Sequence, residues 1–297
     1  MESNKESKRE KPSAQPTSPK GISINIGLNR VDPVHYDGWS GQLTACEFDA
    51  RDLYAIAQQK GFTSTLLLTA NATAQAVLDA LSDAANNLYG GDIVLLTYSG
   101  HGSQVPDTNS EEVDDLDETW VLYDRQLVDD ELFAMFSQFR AGVRIFVLSD
   151  SCHSGTVTKE IYYTSTASRR ETVDVSHGAT PIRYRAMPQQ VALRTYRANK
   201  AHYDKILKSI NADVVEDVKA TVLLISGCQD NQLSSDGAFN GLFTASLLRV
   251  WNGGKFRGDY RKFHENIVKV MPPDQTPNYF LVGMQNKPFE TQQPFTV

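Results

Sequence analysis

The sequence predicts an α/β fold in which a mostly parallel central sheet is flanked by helices on both faces. Three observations carry this. Apolar runs of strand length alternate along the chain with segments of helical periodicity, the pattern of strand–helix–strand units. Two of those runs stop at small residues and then present one reactive side chain, the form a site takes at the carboxyl ends of parallel strands. The chain's 297 residues, 40% hydrophobic and 22% charged, suffice to bury the core that such a sheet needs.

The elements follow in order. A first strand is expected at Ile22 to Leu28, ahead of a polar loop from Asn29 to Ser40. A helix from Leu43 to Gln59 gathers Cys46, Leu53, Ile56 and Ala57 on one apolar face, and Gly61 stops it. Thr65 to Leu68 reads as a short strand, and Thr73 caps a second helix through Val77 and Leu81 to Leu88. After Gly90-Gly91, a strand spans Asp92 to Tyr98, a short one Trp120 to Tyr123, a helix Asp129 to Phe139, and another strand Val143 to Ser149. Residues 156–190 are rich in hydroxyls and arginines with little apolar periodicity and read as an exposed basic linker. Beyond them come a helix from Val191 to Ile210, a buried strand from Lys219 to Ser226, and helices from Asn240 to Trp251 and Tyr260 to Met271. An edge strand from Pro277 to Val282 follows the Pro272-Pro273 break. The chain is thus read as a disordered tail (1–20), a first part (21–155), the linker (156–190), and a second part of the same domain (191–297).

Charge and cysteine content narrow the class. A net charge of −7 and a pI of about 5.4 argue against a nucleic-acid binder, which needs a basic footprint. The acids crowd between Asp107 and Glu131 against the single Arg125, a cluster suited to basic substrates or a hard cation. Three cysteines, Cys46, Cys152 and Cys228, make no even-numbered framework and no C-x-x-C pair, so a disulfide scaffold or zinc site is not expected. With no apolar core in residues 1 to 20 and no window of about 18 uninterrupted apolar residues, a cytoplasmic protein without a membrane partner is expected.

The chemistry lies in Val94-Leu-Leu-Thr-Tyr-Ser-Gly-His-Gly102 and Val147-Leu-Ser-Asp-Ser-Cys-His-Ser-Gly155. Neighbouring strand ends would set His101 beside Cys152. A thiol with a pKa near ~8.5 is mostly protonated at neutral pH, and a nearby imidazole supplies the base it lacks. The amides of Gly102 and Cys152 are candidate donors to a developing oxyanion. His153 is too constrained by adjacency to serve as the base, and His35 and His177 are expected at the surface. Cys46 and Cys228 are expected to be structural, and Asp230 is a candidate for shaping the cleft.

Tyr98-Ser-Gly-His-Gly102 and Asp150-Ser-Cys-His-Ser-Gly155 resemble the catalytic segments of metacaspases and prokaryotic orthocaspases, in the caspase-like clan of cysteine peptidases. The histidine precedes the cysteine by about 50 residues, a caspase-type interval, although the Q-A-C motif of animal caspases is missing. Leu43-Thr-Ala-Cys-Glu-Phe-Asp-Ala50 is similar to the family's early L-x-G-C-x-N-D-A segment. Ser226-Gly-Cys-Gln-Asp-Asn-Gln232 with Gly241-Leu-Phe-Thr-Ala-Ser246 is similar to its small-subunit core, so the resemblance spans roughly residues 21 to 285.

The resemblance implies a caspase-like fold with a large-subunit-like part (21–155) and a small-subunit-like part (191–297). It implies a cysteine endopeptidase that takes protein or peptide substrates with Arg or Lys at the cleaved position, held by Asp49, Ser99 and Asp150. A guanidinium in a partly buried pocket needs carboxylate partners to offset its desolvation, which suits such a set. It also implies processing within the linker, with Arg169, Arg170, Arg183, Arg185 and Arg194 as candidate positions, and calcium near Asp117, Asp129 and Asp130. The acid that follows the cysteine in the family's calcium set is replaced here by Lys159. The alternative is a non-proteolytic scaffold or regulatory partner on the same fold.

Overall fold

A computed structural model describes residues 18–106, 116–151, 183–210, 217–227, 235–237, 240–273 and 275–297. Cys152, Cys228, Asp230, His153, His177, Arg169 and Arg170 lie outside the described residues, as do residues 1–17 and the linker as far as residue 182.

The first part runs β1 (Gly21–Gly27), α1 (Cys46–Gln59), β2 (Thr63–Leu68), α2 (Ala74–Asn87), β3 (Ile93–Ser99), β4 (Gly102–Pro106), β5 (Leu116–Val121), β6 (Gln126–Val128), α3 (Asp129–Ser137) and β7 (Arg144–Asp150). The second runs β8 (Arg183–Tyr184), α4 (Gln189–Ala198), α5 (Lys200–Leu207), β9 (Thr221–Ser226), β10 (Ser235–Asp236), α6 (Leu242–Trp251), α7 (Tyr260–Val270), β11 (Asn278–Gly283) and α8 (Lys287–Thr291).

Six strands form the central sheet in the order β11-β9-β7-β3-β1-β2. All neighbours pair parallel except β11, which runs antiparallel to β9 at one edge. Side chains of the inner strands alternate between two cores, as the twofold strand period requires. Val94, Leu96, Tyr98, Ile145 and Val147 join Val77 and Leu81 of α2 and Leu132 and Phe136 of α3 on one face. Ile93, Leu95, Phe146 and Leu148 join Leu53 of α1, Phe243 and Leu247 of α6, and Phe263 and Ile267 of α7 on the other. Strand order reverses between β1 and β3, because β2 lies to one side of β1 and β3, β7 and β9 to the other. A crevice at the carboxyl ends of the strands is the natural place for a site in such a sheet.

Several expectations shift. The first helix begins at Cys46 rather than Leu43, since the Leu43 amide is bonded to the Asn29 carbonyl (2.9 Å) and the Thr44 amide to Asp236 (2.8 Å). The helix expected from Val191 to Ile210 is two, α4 and α5. Asn199 leaves helical geometry between them (φ −114°, ψ 19°), and its side-chain amide donates to the His35 and Thr195 carbonyls. The short strand expected at Trp120 to Tyr123 is β5, which begins earlier, at Leu116, and is the middle strand of a separate antiparallel meander, β4-β5-β6. Its Gly, Pro, Asp and Glu residues carry little strand preference, so sequence pattern conceals it. No helix among the described residues is long and apolar enough to cross a membrane.

Phe146 sits fully buried in β7 with edge-on contacts to Tyr260 (4.7 Å) and Phe295 (5.6 Å). It couples the central strand to the second part's helices. Phe146→Ala is expected to destabilise the fold by about 3–5 kcal/mol, read as a lower urea midpoint at unchanged slope.

Candidate active site

Strand β3 delivers His101. The strand is buried along its length and ends at Ser99, after which Gly100 turns the chain. The Gly100 amide reaches the Asp150 carbonyl at the end of β7 (3.4 Å). The Tyr98 hydroxyl, stacked under Trp120, donates to the carbonyls of His101 (2.7 Å) and Val121 (3.1 Å), and the Val121 amide also holds the His101 carbonyl (3.0 Å). The imidazole packs on Trp39, ring centres 4.8 Å apart, with Nε2 at 3.1 Å from the Gly41 carbonyl. A carbonyl only accepts, so Nε2 carries the hydrogen and the neutral ring presents its lone pair at Nδ1. Nδ1 is buried and has no hydrogen-bond partner among the described residues. Burial pushes the His101 pKa down to about 4, aided by the Arg185 charge and opposed by the Gly41 carbonyl. At neutral pH the ring is therefore an unprotonated base.

Beside it lies a pocket of carboxylates occupied by Arg185. This is a correction to the exposed linker expected over residues 156–190: near its end, Arg185 is fully buried. Its Nη1 donates to Ser99 Oγ (2.8 Å) and the Asp150 carbonyl (3.2 Å) and pairs with Asp150 Oδ2 (2.9 Å). Its Nη2 pairs with Asp49 Oδ2 (2.7 Å) and Asp236 Oδ1 (3.1 Å). The structure thus brings together Asp49, Ser99 and Asp150, the three residues that the resemblance implied, and adds Asp236 from β10. Burial opposes the guanidinium charge, but Asp150, Asp49 and Asp236 outweigh it and hold the Arg185 pKa well above its ordinary value. Burial also pushes the Asp49 carboxyl up, and Arg185 pulls it back.

The carboxylates have neutral donors as well. Gly241 caps α6, and its amide donates to Asp49 Oδ1 (3.0 Å). The Thr244 amide and hydroxyl, one turn in, donate to Asp150 Oδ2 (3.2 and 2.8 Å). Two anions therefore share the positive end of one helix. Asn240 adds a bond to Asp49 (3.0 Å). Gly241 leaves room for the guanidinium, since a Cβ there would collide with Arg185 Nη2.

The backbone of the arginine is fixed too. The Gly102 amide donates to the Arg185 carbonyl (2.9 Å), and the Met187 amide donates to the Gly102 carbonyl (2.8 Å). The two residues before Arg185 form β8, antiparallel to β10. Met187 then enters a small core with Val31, Tyr36, Val121 and Val191. One amide expected to serve an oxyanion thus already grips a peptide carbonyl whose side chain fills the acidic pocket.

Other expectations fare differently. Asp117, Asp129 and Asp130 were expected to hold calcium, but among the described residues no group of three or more His, Cys, Asp or Glu side chains is placed to bind a metal ion. Asp117 lies within β5, whereas Asp129 and Asp130 open α3, where their charge faces the helix's positive end and Asp129 Oδ1 accepts the Asp130 amide (3.1 Å). Cys46 is buried on α1 as expected, and burial raises its thiol pKa far from reactivity. His35 is half-buried rather than at the surface, bonded to the Tyr203 hydroxyl (2.8 Å). Sequence reasoning missed Trp39, Gly41, Asp236, Asn240 and Thr244. Gly41 follows directly on the polar loop from Asn29 to Ser40; its φ of +53° and the Trp39 ring over it both require glycine.

Comparison with known proteins gives a consistent picture. The sequence profile of the caspase domain matches residues 31–293. Metacaspase-1 of Mycosarcoma maydis is 28% identical over 258 residues, covering 78% of this chain and 63% of that protein. Metacaspase-1 of Schizosaccharomyces pombe is 30% identical over 197 residues, 59% of this chain and 44% of the other. The chain thus spans about half the length of these relatives. The crystal structure of protein GSU0716 from Geobacter sulfurreducens aligns with a TM-score of 0.84 at 56% identity, covering 94% of this chain and 99% of that one. Caspase-1 from Spodoptera frugiperda shares the fold at 12% identity (TM-score 0.53, 93% of each chain).

The depressed His101 pKa has a measurable sign. The ordinary histidine pKa is 6.5 and the folded value is about 4, so between these pH values the unfolded chain binds more protons. Stability is full above about pH 6.5 and falls as pH drops towards 4. In the Cys152→Ala chain the His101 ring resonances should titrate near pH 4, and His101→Asn should flatten that part of the stability profile.

Proposed function

Because the chain belongs to the caspase-domain family, whose members support a cysteine peptidase assignment, we propose that it is an endopeptidase cleaving after Arg or Lys and processing its own linker. One observation carries the reading: Arg185 sits in the carboxylate pocket with its carbonyl on the Gly102 amide, the posture of a residue preceding a cleaved bond.

The residues divide the work. His101 Nδ1 takes the thiol proton of Cys152, and the thiolate attacks the substrate carbonyl. The amides of Gly102 and Cys152 hold the oxyanion as the carbonyl becomes tetrahedral. The His101 imidazolium then gives its proton to the leaving amine, and water, deprotonated by the same ring, hydrolyses the thioester. Asp49, Ser99 and Asp150 hold the cationic side chain, and an Asp in its place would meet like charge. The pocket's burial makes its ion pairs strong and its unpaired carboxylates costly, so occupancy by a cation is favoured on both counts.

Among the arginines considered for self-processing, the bond between Arg185 and Ala186 is the one this posture favours. Arg194 lies on α4, half-exposed and paired with Asp37 (2.6 Å).

Matched fluorogenic peptides ending in Arg, Lys or Asp test the reading, with Cys152→Ala as the blank. Cleavage after Arg or Lys but not Asp is expected, with mass spectrometry finding a fragment that begins at Ala186 in the active chain and not in the blank. A folded protein silent on every peptide would instead favour a non-proteolytic scaffold. Asp49→Asn should lower kcat/KM on the Arg peptide by about a hundredfold or more, the cost of removing one partner of a buried ion pair. Gly241→Ala should block entry of the guanidinium and lower cleavage after Arg, since a Cβ there collides with Arg185 Nη2 although the backbone angles (φ −60°) accept alanine.

A further inference from the structure

Asp236 stands apart from the motifs that supply Asp49, Ser99 and Asp150. It belongs to the second part of the chain, and its side chain is only 2% exposed. Its position is tightly set: Oδ2 accepts the Thr44 amide (2.8 Å) and hydroxyl (3.0 Å), and Oδ1 accepts the Ala45 amide (3.3 Å). That leaves Oδ1 facing Arg185 Nη2 (3.1 Å). We propose that Asp236 selects arginine over lysine at the residue before the cleaved bond, a refinement that rests on the peptidase reading above.

The pocket offers two separate anionic stations, one for each prong of a guanidinium. Ser99 Oγ and the Asp150 carboxylate and carbonyl receive Nη1; Asp49 and Asp236 receive Nη2. A guanidinium is a rigid fork that fills both at once. A lysine ammonium is one compact charge and fills one. Seated against Ser99 and Asp150, it leaves Asp236 buried with only neutral donors. Seated against Asp49 and Asp236, it strips Asp150 of its cation. Either way a buried carboxylate loses its counter-charge, and that loss is what disfavours lysine. Asp236 also lies on β10, the strand that pairs with residues 183 and 184, so one short strand both aligns the peptide backbone and reads the second prong.

The readout is the ratio of kcat/KM on matched Arg and Lys peptides, for the full chain and for Asp236→Asn. The ratio does not depend on how many pockets Arg185 still fills, because both peptides meet the same free fraction, and a merely structural role for Asp236 would not move it. The full chain should favour Arg by at least ~10-fold, and Asp236→Asn should shrink that preference at least ~5-fold. An unchanged ratio in Asp236→Asn overturns this proposal and leaves the peptidase reading standing; absence of cleavage after either residue overturns both. Should Asp236→Asn fail to fold, Arg185→Lys with Asp236 intact carries the test. Scission between residues 185 and 186 is then expected to slow at least ~10-fold, and equal rates overturn the proposal.

Discussion

The site depends on a buried ion cluster: one guanidinium, from Arg185, among the carboxylates of Asp49, Asp150 and Asp236. Removing such charges from water costs several kcal/mol each, and close pairing offsets that only when the remaining lone pairs are also satisfied. Here they are. Ser99 donates to Asp49, Gly241 and Asn240 donate to Asp49, Thr244 to Asp150, and Thr44 and Ala45 to Asp236. With three anions to one cation the cluster keeps an excess of negative charge, and the amino-terminal end of α6 supplies the opposing field. That field persists whichever cation occupies the pocket.

The cluster also ties the two parts of the chain together. Asp49 and Asp150 belong to residues 21–155, whereas Asp236, Gly241 and Thr244 come from the second part, as does Arg185, just after β8. The pocket is therefore complete only when β9, β10 and α6 are docked on β7. Phe146, Phe243 and Tyr260 perform that docking in the core beneath the cleft. Apolar burial on one face of the sheet thus fixes the spacing of charges at its carboxyl edge. His101 is held from a different direction, by Gly41, Trp39 and the Tyr98 hydroxyl, so the imidazole and the pocket rest on separate supports.

Much of the fold was legible in the sequence because the inner strands are continuous apolar runs and the main helices carry a clear apolar stripe. Val94–Tyr98 and Val147–Ser149 announce themselves in this way, as do α2, capped by Thr73, and α7. The meander β4-β5-β6 did not, since Gly102, Pro106, Asp117 and Glu118 oppose strand preference and the pairing arises from tertiary context. The break at Asn199 was hidden for a related reason: a single side chain reaching His35 overrides a periodicity that runs on past it.

The candidate site divides along the same line. His101 with its glycines stands in a short local motif whose residue types mark a candidate base, and Asp49, Ser99 and Asp150 were implied by the resemblance that such motifs carry. The sequence by itself therefore determined much of the strand-helix order, the candidate base His101 and, through its resemblance, the acidic residues that gather beside it. Only the tertiary structure decided that Arg185 fills the pocket, that Asp236 completes it and that Gly41 sets the His101 tautomer. Each of those outcomes depends on distances between residues far apart in the chain, and such distances are set by how the sheet and its helices pack, which no local pattern records.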